Sequence, residues 1–149
     1  MSSIVLFFYW TAFHLNRWRI PLLPKIINVV FVRLLFGCQI GLGAKLGRGV
    51  NLGYGGLGIV IHSRVIIGNN TSIGSSVTVG GTSKKWEVPV IGNNSIISTG
   101  AKIIGGVSIG NNCVIGDNAV VTSDMSDNCV VVGVPAKVVK QGINISDYR

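Results

Sequence analysis

An aliphatic residue returns at every sixth position through most of this chain, and this period limits the fold more than any other feature of the sequence. The positions are Ile40, Leu46, Leu52, Ile61, Ile67, Ile73, Val79, Ile91, Ile97, Ile103, Ile109, Ile115 and Val121. Neither a helix nor a flat strand presents every sixth residue alone to a core. Short strands joined by tight corners do, and stacking them buries a continuous aliphatic column. The period therefore predicts an all-β solenoid.

Each repeating unit continues with glycine and small polar residues, as in Ile67-Gly68-Asn69-Asn70-Thr71. Glycine and asparagine tolerate the positive φ that a tight corner requires. In several units the fourth residue after the aliphatic position is small, and we expect such residues to face inward where the coil narrows. This set contains Ala44, Thr71, Ala101 and Ala119.

The composition suits one modest domain with a strong positive charge. Among 149 residues there are 21 glycines and only 12% charged residues, the net charge is +8, and no Asp or Glu precedes Glu87. The first half should therefore attract anions. Basic runs interleaved with aromatics are absent, so we expect no nucleic acid, and a phosphorylated cofactor or an anionic membrane is the expected partner. Three cysteines without a signal peptide indicate reduced thiols in the cytoplasm.

Two further motifs carry a resemblance to a known family: Val77-Thr78-Val79-Gly80-Gly81-Thr82 and Gly133-Val134-Pro135-Ala136-Lys137. With the repeat, they resemble the hexapeptide-repeat acyltransferases, most closely the serine acetyltransferases and their sugar or polysaccharide O-acetyltransferase relatives. The resemblance covers residues 37–140 and implies a left-handed parallel β-helix that assembles as a homotrimer. Residues 1–36 would form an N-terminal α-helical segment, and residues 141–149 a C-terminal tail.

Residues 4–36 are apolar and aromatic with interspersed Arg and Lys, and a break between Pro21 and Pro24 predicts two helices. The first apolar stretch is shorter than the about 20 residues of a membrane span, and it lacks the features of a secretory signal. One interpretation is that both helices cap the open end of the coil and pack against neighbouring subunits. The other is peripheral contact with the inner membrane, because the aromatic side chains beside Arg17 and Arg19 resemble a basic amphipathic segment.

The period is interrupted twice, and a β-helix tolerates insertions only where the chain loops outward. Between Leu52 and Ile61 the phase slips through a glycine-rich segment, and residues 80–90 do not read as hexads. We expect the second interruption to be a protruding loop, the kind of segment in which chemistry usually lies. The resemblance implies that this loop reaches over a cleft between two subunits.

Acyl transfer to a hydroxyl needs a base, and histidine is the usual one near neutral pH. Only His14 and His62 are present. His14 lies in the aromatic segment. His62 follows a repeat position at an outward corner, so it is the candidate base, steered by Tyr54 or by Glu87 of a neighbouring subunit.

Several residues typical of serine acetyltransferases are missing here. The resemblance places the family's Asp-His or His-His pair on Tyr54 and Gly55, and the loop segment 84–89 contains no histidine. These departures argue against serine as the acceptor. A metal site like that of the γ-carbonic anhydrases would need three histidines, so we expect no metal.

The coenzyme side of the resemblance is better preserved. The family binds coenzyme A along the outside of the coils with a Gly-Gly-Thr loop, small residues on later coils and basic residues near the C-terminal end. The matching positions are Gly81, Thr82, Lys84, Ala101, Gly133, Ala136, Lys137 and Lys140. Small residues let a ligand approach the backbone and lysines suit phosphate groups, so acetyl-CoA is the expected co-substrate.

The sequence thus predicts an acetyl-CoA-dependent O-acetyltransferase that acts on a hydroxyl of a sugar or glycan. His62 would take the proton of that hydroxyl as it attacks the thioester, and backbone N–H groups of the Gly80-Gly81 turn would stabilise the oxyanion. Two alternatives remain open: a serine O-acetyltransferase, and a non-catalytic trimeric scaffold that keeps the groove without the base.

Overall fold

The computed structural model describes residues 2–149, which form a helical segment followed by a coil of short strands. The helical segment consists of α1 (Ser2–Arg17), α2 (Leu23–Ile27) and a π-helical stretch (Asn28–Leu35). The strands are β1 (Gln39–Ile40), β2 (Lys45–Leu46), β3 (Asn51–Leu52), β4 (Val60–Ile61), β5 (Ile66–Ile67), β6 (Ser72–Ile73), β7 (Thr78–Gly80), β8 (Val90–Ile91), β9 (Ile96–Ile97), β10 (Lys102–Ile104), β11 (Ser108–Ile109), β12 (Val114–Ile115), β13 (Val120–Val121), β14 (Cys129–Val132) and β15 (Lys137–Gln141). Gly53–Gly56 forms a tight turn in which Tyr54 and Gly55 have a positive φ, and Ile145–Tyr148 forms a 3-10 turn.

Three parallel sheets form the sides of the coil. Their strand orders are β1-β4-β7-β10-β13, β2-β5-β8-β11 and β3-β6-β9-β12-β14-β15. The register joins one repeat position to the next, as in Ile40 opposite Ile61 and Ile61 opposite Val79. The predicted parallel β-helix is therefore confirmed, and the structure is consistent with the predicted left hand. The last strand departs from the repeat, because β15 runs antiparallel to β14.

The aliphatic positions of the period form the core of the coil. All thirteen of these side chains are between 0 and 5% exposed. Burying a side chain of this size contributes about 1.5–3 kcal/mol, so one residue in each hexad is enough to stabilise the contact between successive coils. The small positions Ala44, Thr71, Ala101 and Ala119 are also buried. Their size lets the corners of the coil close over the aliphatic column.

The N-terminal helices cover the open end of the first coil. The Tyr9 hydroxyl donates a hydrogen bond to the carbonyl oxygen of Ala44 at 2.6 Å, and the Asn28 amide donates to that of Ile40 at 2.9 Å. Burial raises the pKa of Tyr9, so its hydroxyl stays protonated as a donor. In the part of the chain that the structure describes, no helix is long and apolar enough to cross a bilayer.

A ladder of side-chain acceptors runs along one corner of the coil. The backbone N–H groups of Arg48, Asn69, Asn93 and Asn111 donate to Oδ1 of Asn69, Asn93, Asn111 and Asp127 respectively, each at 2.8 Å. The residues that follow the four acceptors, Asn70, Asn94, Asn112 and Asn128, all have a positive φ. Asparagine adopts this conformation more readily than most residues. Each pair of residues at this corner therefore has two roles. The first residue, such as Asn69, accepts a hydrogen bond from the preceding coil, and the second, such as Asn70, turns the chain.

Replacing Asn93 with alanine should destabilise the coil, because it removes the acceptor for the N–H of Asn69 and a donor to Asn111. We expect the free energy of unfolding to fall by about 1–3 kcal/mol, because two hydrogen bonds are lost and each usually contributes about 0.5–1.5 kcal/mol. Urea denaturation measures the change. Asn16→Ala, at an exposed position of α1, is the control. Equal loss in both variants would contradict a stabilising ladder.

Candidate functional site

A groove of about 460 Å³ lies on the outer face of the first sheet, across β1, β4 and β7. Its lining includes Gln39, Gly41, His62, Ser63, Thr78 and Gly81. Because most of these side chains are small, a ligand in the groove can approach the backbone closely. The groove therefore joins the end of β4, which carries an imidazole, to the glycines at which the long loop begins.

His62 is half-buried at the end of β4, and two hydrogen bonds determine where its ring lies. Its backbone N–H donates to the carbonyl oxygen of Val79 at 2.9 Å, and its Nδ1 accepts from the backbone N–H of Arg64 at 3.2 Å. A neutral imidazole has one donor and one acceptor nitrogen. With Nδ1 as the acceptor, the proton of the neutral ring is on Nε2.

Arg64 binds the loop that follows β7. Its Nε and Nη2 donate to the carbonyl oxygen of Trp86 at 3.2 and 2.7 Å, and its Cζ lies 3.9 Å from the centre of the Trp86 ring. A guanidinium over an indole face is a cation–π contact, which adds to the two hydrogen bonds. The loop is thereby connected to the residue two positions after His62.

Tyr54 and Glu87, the predicted partners of His62, are not among the groove-lining residues of the described chain. Tyr54 lies in the Gly53–Gly56 turn with a φ of 51°, and it is 81% exposed. Glu87 is exposed beside Gly106, where an added Cβ would lie 2.5 Å from the Cβ of Glu87. Their action from a neighbouring subunit, and the homotrimer itself, stay predictions because one chain is described.

The predicted coenzyme positions divide among three places in the fold. Gly81 lines the groove, and Thr82 and Lys84 are exposed at the tip of the loop, where the N–H of Lys85 donates to the carbonyl of Thr82 at 3.3 Å. Ala101 is buried in the core, so its side chain packs inside the coil instead of facing an outer groove. Ala101 is the fourth residue after Ile97, a position at which the side chain faces the inside of the coil.

The remaining predicted positions lie at the C-terminal end of the coil. Gly133 follows β14 with a φ of 97°, and Lys137 and Lys140 are exposed on β15. Ala136 is buried, and its N–H donates to the carbonyl of Val120 at 2.9 Å. The structure therefore brings His62 and Gly81 together in the groove and leaves the basic pair on the antiparallel strand.

Sequence reasoning missed several groove residues that the register could have identified. Gln39, Val60 and Thr78 each precede a repeat position, and the pairing of β1 with β4 and of β4 with β7 aligns them on one outer face. Arg64 was missed for a different reason, since no local pattern predicts that it contacts Trp86. Among residues 2–149, no group of three or more His, Cys, Asp or Glu side chains could hold a metal ion.

A protein-family model matches residues 89–123, and its description is bacterial transferase hexapeptide (six repeats). The matched residues begin at the end of the long loop and continue to the strand β13. They contain the longest uninterrupted run of hexads in the chain. The match therefore agrees with the part of the sequence in which the period is clearest.

Known relatives and solved structures extend the match over most of the chain. The serine acetyltransferase of Synechococcus elongatus is 36% identical over 137 residues, which are 90% of this chain and 55% of that protein. The structure of the Neisseria gonorrhoeae serine acetyltransferase superposes with a TM-score of 0.87 at 32% identity, over 94% of this chain and 54% of that one. A serine acetyltransferase in complex with CoA superposes with a TM-score of 0.83 at 29% identity, over 91% and 55%. The chain thus spans about half the length of these relatives.

These matches correct the predicted acceptor. The expectation of a sugar or glycan hydroxyl, and with it a role in polysaccharide biosynthesis, is wrong, because the relatives are named serine acetyltransferases. The error has a physical source, since the repeat specifies the coil and carries no information about what binds beside it. The sixfold period, the coil that it builds and the matches agree, and the chain belongs to the hexapeptide-repeat transferase family, in its serine acetyltransferase-like branch.

Proposed function

We propose that this chain transfers an acetyl group from acetyl-CoA to the hydroxyl of serine. The observation that carries the proposal is the groove, whose lining contains the His62 imidazole and the Gly80-Gly81 turn. The names of the similar proteins support serine as the acceptor and acetyl-CoA as the donor. The three cysteines are buried and form no disulfide among the described residues, which supports a reducing compartment such as the cytoplasm.

The reaction requires the serine hydroxyl to lose a proton as its oxygen attacks the thioester carbonyl, while the departing thiolate of coenzyme A gains one. We assign both transfers to His62, the imidazole of the groove, which would accept the hydroxyl proton and then return it to the departing thiolate. Accepting it at Nδ1 would break the contact with the N–H of Arg64. The hydrogen bond contributes about 0.5–1.5 kcal/mol of stability. A positioned base accelerates a reaction by a factor of about 10²–10⁴, which lowers the activation free energy by about 3–5 kcal/mol. Losing the hydrogen bond therefore costs less than the base gains. The contact is therefore compatible with a base at this position.

Backbone groups at the start of the loop complete the site in this proposal. The N–H groups near Gly80 and Gly81 are the candidate donors to the oxyanion that forms on the thioester carbonyl. Gly81 lines the groove beside His62, so the attacking oxygen and the carbonyl would both lie between β4 and the loop. Gly81, Thr82, Gly133, Lys137 and Lys140 would bind coenzyme A, with the lysines near its phosphates.

Coenzyme A should raise the thermal unfolding midpoint, because a ligand that binds the folded state stabilises it. The double variant Lys137→Ala, Lys140→Ala should show a smaller rise, since it removes two exposed cations from β15. Differential scanning fluorimetry measures both. The double variant Lys45→Ala, Arg48→Ala removes the same charge from exposed positions elsewhere and should keep the full shift. A wild-type protein without any shift would refute coenzyme A binding.

His62→Ala should lower thiol release from acetyl-CoA with L-serine by a factor of about 10²–10⁴, the usual effect of losing a positioned base. His62→Gln keeps a donor near the position of Nε2 but cannot act as a base, so it should be equally impaired. Full activity in His62→Gln would assign a donor role instead of a base. Wild-type protein that binds coenzyme A but releases no thiol with serine would favour the non-catalytic scaffold.

We also propose that the outer face of the helical segment contacts an anionic membrane surface. Phe7, Trp18 and Leu34 are 65, 71 and 73% exposed. Arg17, Arg19, Lys25 and Arg33 are exposed in the same segment, and no acidic residue precedes Glu87. A second copy of this face would bring like charges together, whereas anionic lipid headgroups would neutralise them.

Sedimentation with vesicles tests this contact. We expect the protein to bind vesicles that contain phosphatidylserine, to bind neutral phosphatidylcholine vesicles weakly, and to dissociate as ionic strength rises. Phe7→Ser with Leu34→Ser should weaken binding, and Leu57→Ser, at an exposed apolar position on the coil, should not. Equal binding by all three proteins, or none by the wild type, would contradict the proposal.

A further inference from the structure

Arg64 contacts both halves of the candidate site through different atoms. Its backbone N–H donates to Nδ1 of His62, and its guanidinium donates twice to the carbonyl oxygen of Trp86. No carboxylate pairs with this guanidinium among the contacts of the described residues. A single residue therefore joins the imidazole at the end of β4 to the loop between β7 and β8.

The loop is also closed at its base, beside the groove. A Cβ added to Gly81 would lie 3.2 Å from Val88 Cγ1 and 3.3 Å from the Glu87 carbonyl oxygen, so the outgoing and returning strands of the loop are in contact there. Beyond that closure, residues 82–86 are exposed. The Arg64 contact at Trp86 is the main restraint described for this outer part of the loop, which includes the turn at Thr82.

We propose that Arg64 is a positioning residue, whose guanidinium holds the loop beside the groove through Trp86. This inference rests on the proposed acyl transfer, because the loop residues Gly81 and Thr82 are assigned there to coenzyme A. A loop fixed in advance costs less conformational entropy on binding. Arg64 should therefore act mainly on the affinity for coenzyme A.

Side-chain substitution can separate the two contacts of Arg64. Any replacement except proline keeps the backbone N–H that bonds to His62, so Arg64→Ala and Arg64→Lys remove only the hold on the loop. Lysine keeps the charge but cannot make two parallel hydrogen bonds to one carbonyl or stack as a plane on the indole. Arg64→Lys should consequently resemble Arg64→Ala more than the wild type.

Limited trypsin digestion measures the hold on the loop without any activity. Lys84 and Lys85 are exposed at the loop tip, and cleavage after them gives fragments that mass spectrometry identifies. We expect Arg64→Ala to be cleaved there about tenfold faster than the wild type, the effect of losing a hydrogen bond to a charged group, with a nearly unchanged thermal midpoint. Arg48→Ala is the matched control and should be cleaved at the wild-type rate. Equal cleavage of Arg64→Ala and the wild type would overturn the proposal.

Kinetics with acetyl-CoA separate positioning from simple stabilisation of the loop. Arg64→Ala should raise the KM for acetyl-CoA, and the dissociation constant of coenzyme A in calorimetry, by about tenfold, with a smaller change in kcat. Faster cleavage with an unchanged coenzyme A affinity would overturn the positioning role. If the wild type binds coenzyme A but transfers no acetyl group to serine, the proposed reaction is refuted. The rates of trypsin cleavage and the affinities for coenzyme A then still test the role of Arg64, because neither needs activity.

Discussion

Burial of one aliphatic side chain per hexad is the interaction on which the rest of the molecule depends. The strands are two to five residues long, too short to be stable alone, and they persist because each repeat position lies against the equivalent position of the next coil. The side-chain hydrogen bonds of the corner ladder, from Asn69 to Asp127, align successive coils in addition to this apolar packing. Together they produce a rigid side wall, and the groove is a feature of that wall.

The groove owes its properties to what the repeat leaves outside the coil. Positions that precede the aliphatic residue point outward, so small or polar residues there can line a ligand site without disturbing the core. His62 and Ser63 instead follow the aliphatic residue Ile61, at a corner of the coil, and also line the groove. The Gly80-Gly81 turn begins the loop at the neighbouring coil. Chemistry is thus separated from stability, which allows one coil to support different acceptors in related proteins.

The sequence was sufficient for the architecture and for part of the site. The period predicted the thirteen aliphatic positions from Ile40 to Val121, all of which are buried, but not other core residues such as Ile59. The sequence also assigned His62 to an outward corner, and His62 and Gly81 line the same groove. It could not predict the contact of Arg64 with Trp86, because loop conformation depends on long-range partners that no spacing encodes. Ala101 shows a second limit. A small residue can pack inside the narrow coil or let a ligand approach the outer surface, and the residue type alone does not tell which of the two it does. The predicted acceptor was wrong because Tyr54 and Gly55 occupy the positions that the resemblance gives to the family's histidine pair, and the repeat itself carries no information about what binds beside it.

The two ends of the coil have a consequence for assembly. A parallel β-helix exposes unpaired backbone groups at its first and last coils, and each end could template another coil. Here α1 covers the first, and β15, antiparallel to β14, covers one side of the last with its own backbone. Reversal of strand direction changes the hydrogen-bonding pattern that a further parallel strand would need. The short strand that carries Lys137 and Lys140 therefore opposes head-to-tail addition of chains on that side of the coil.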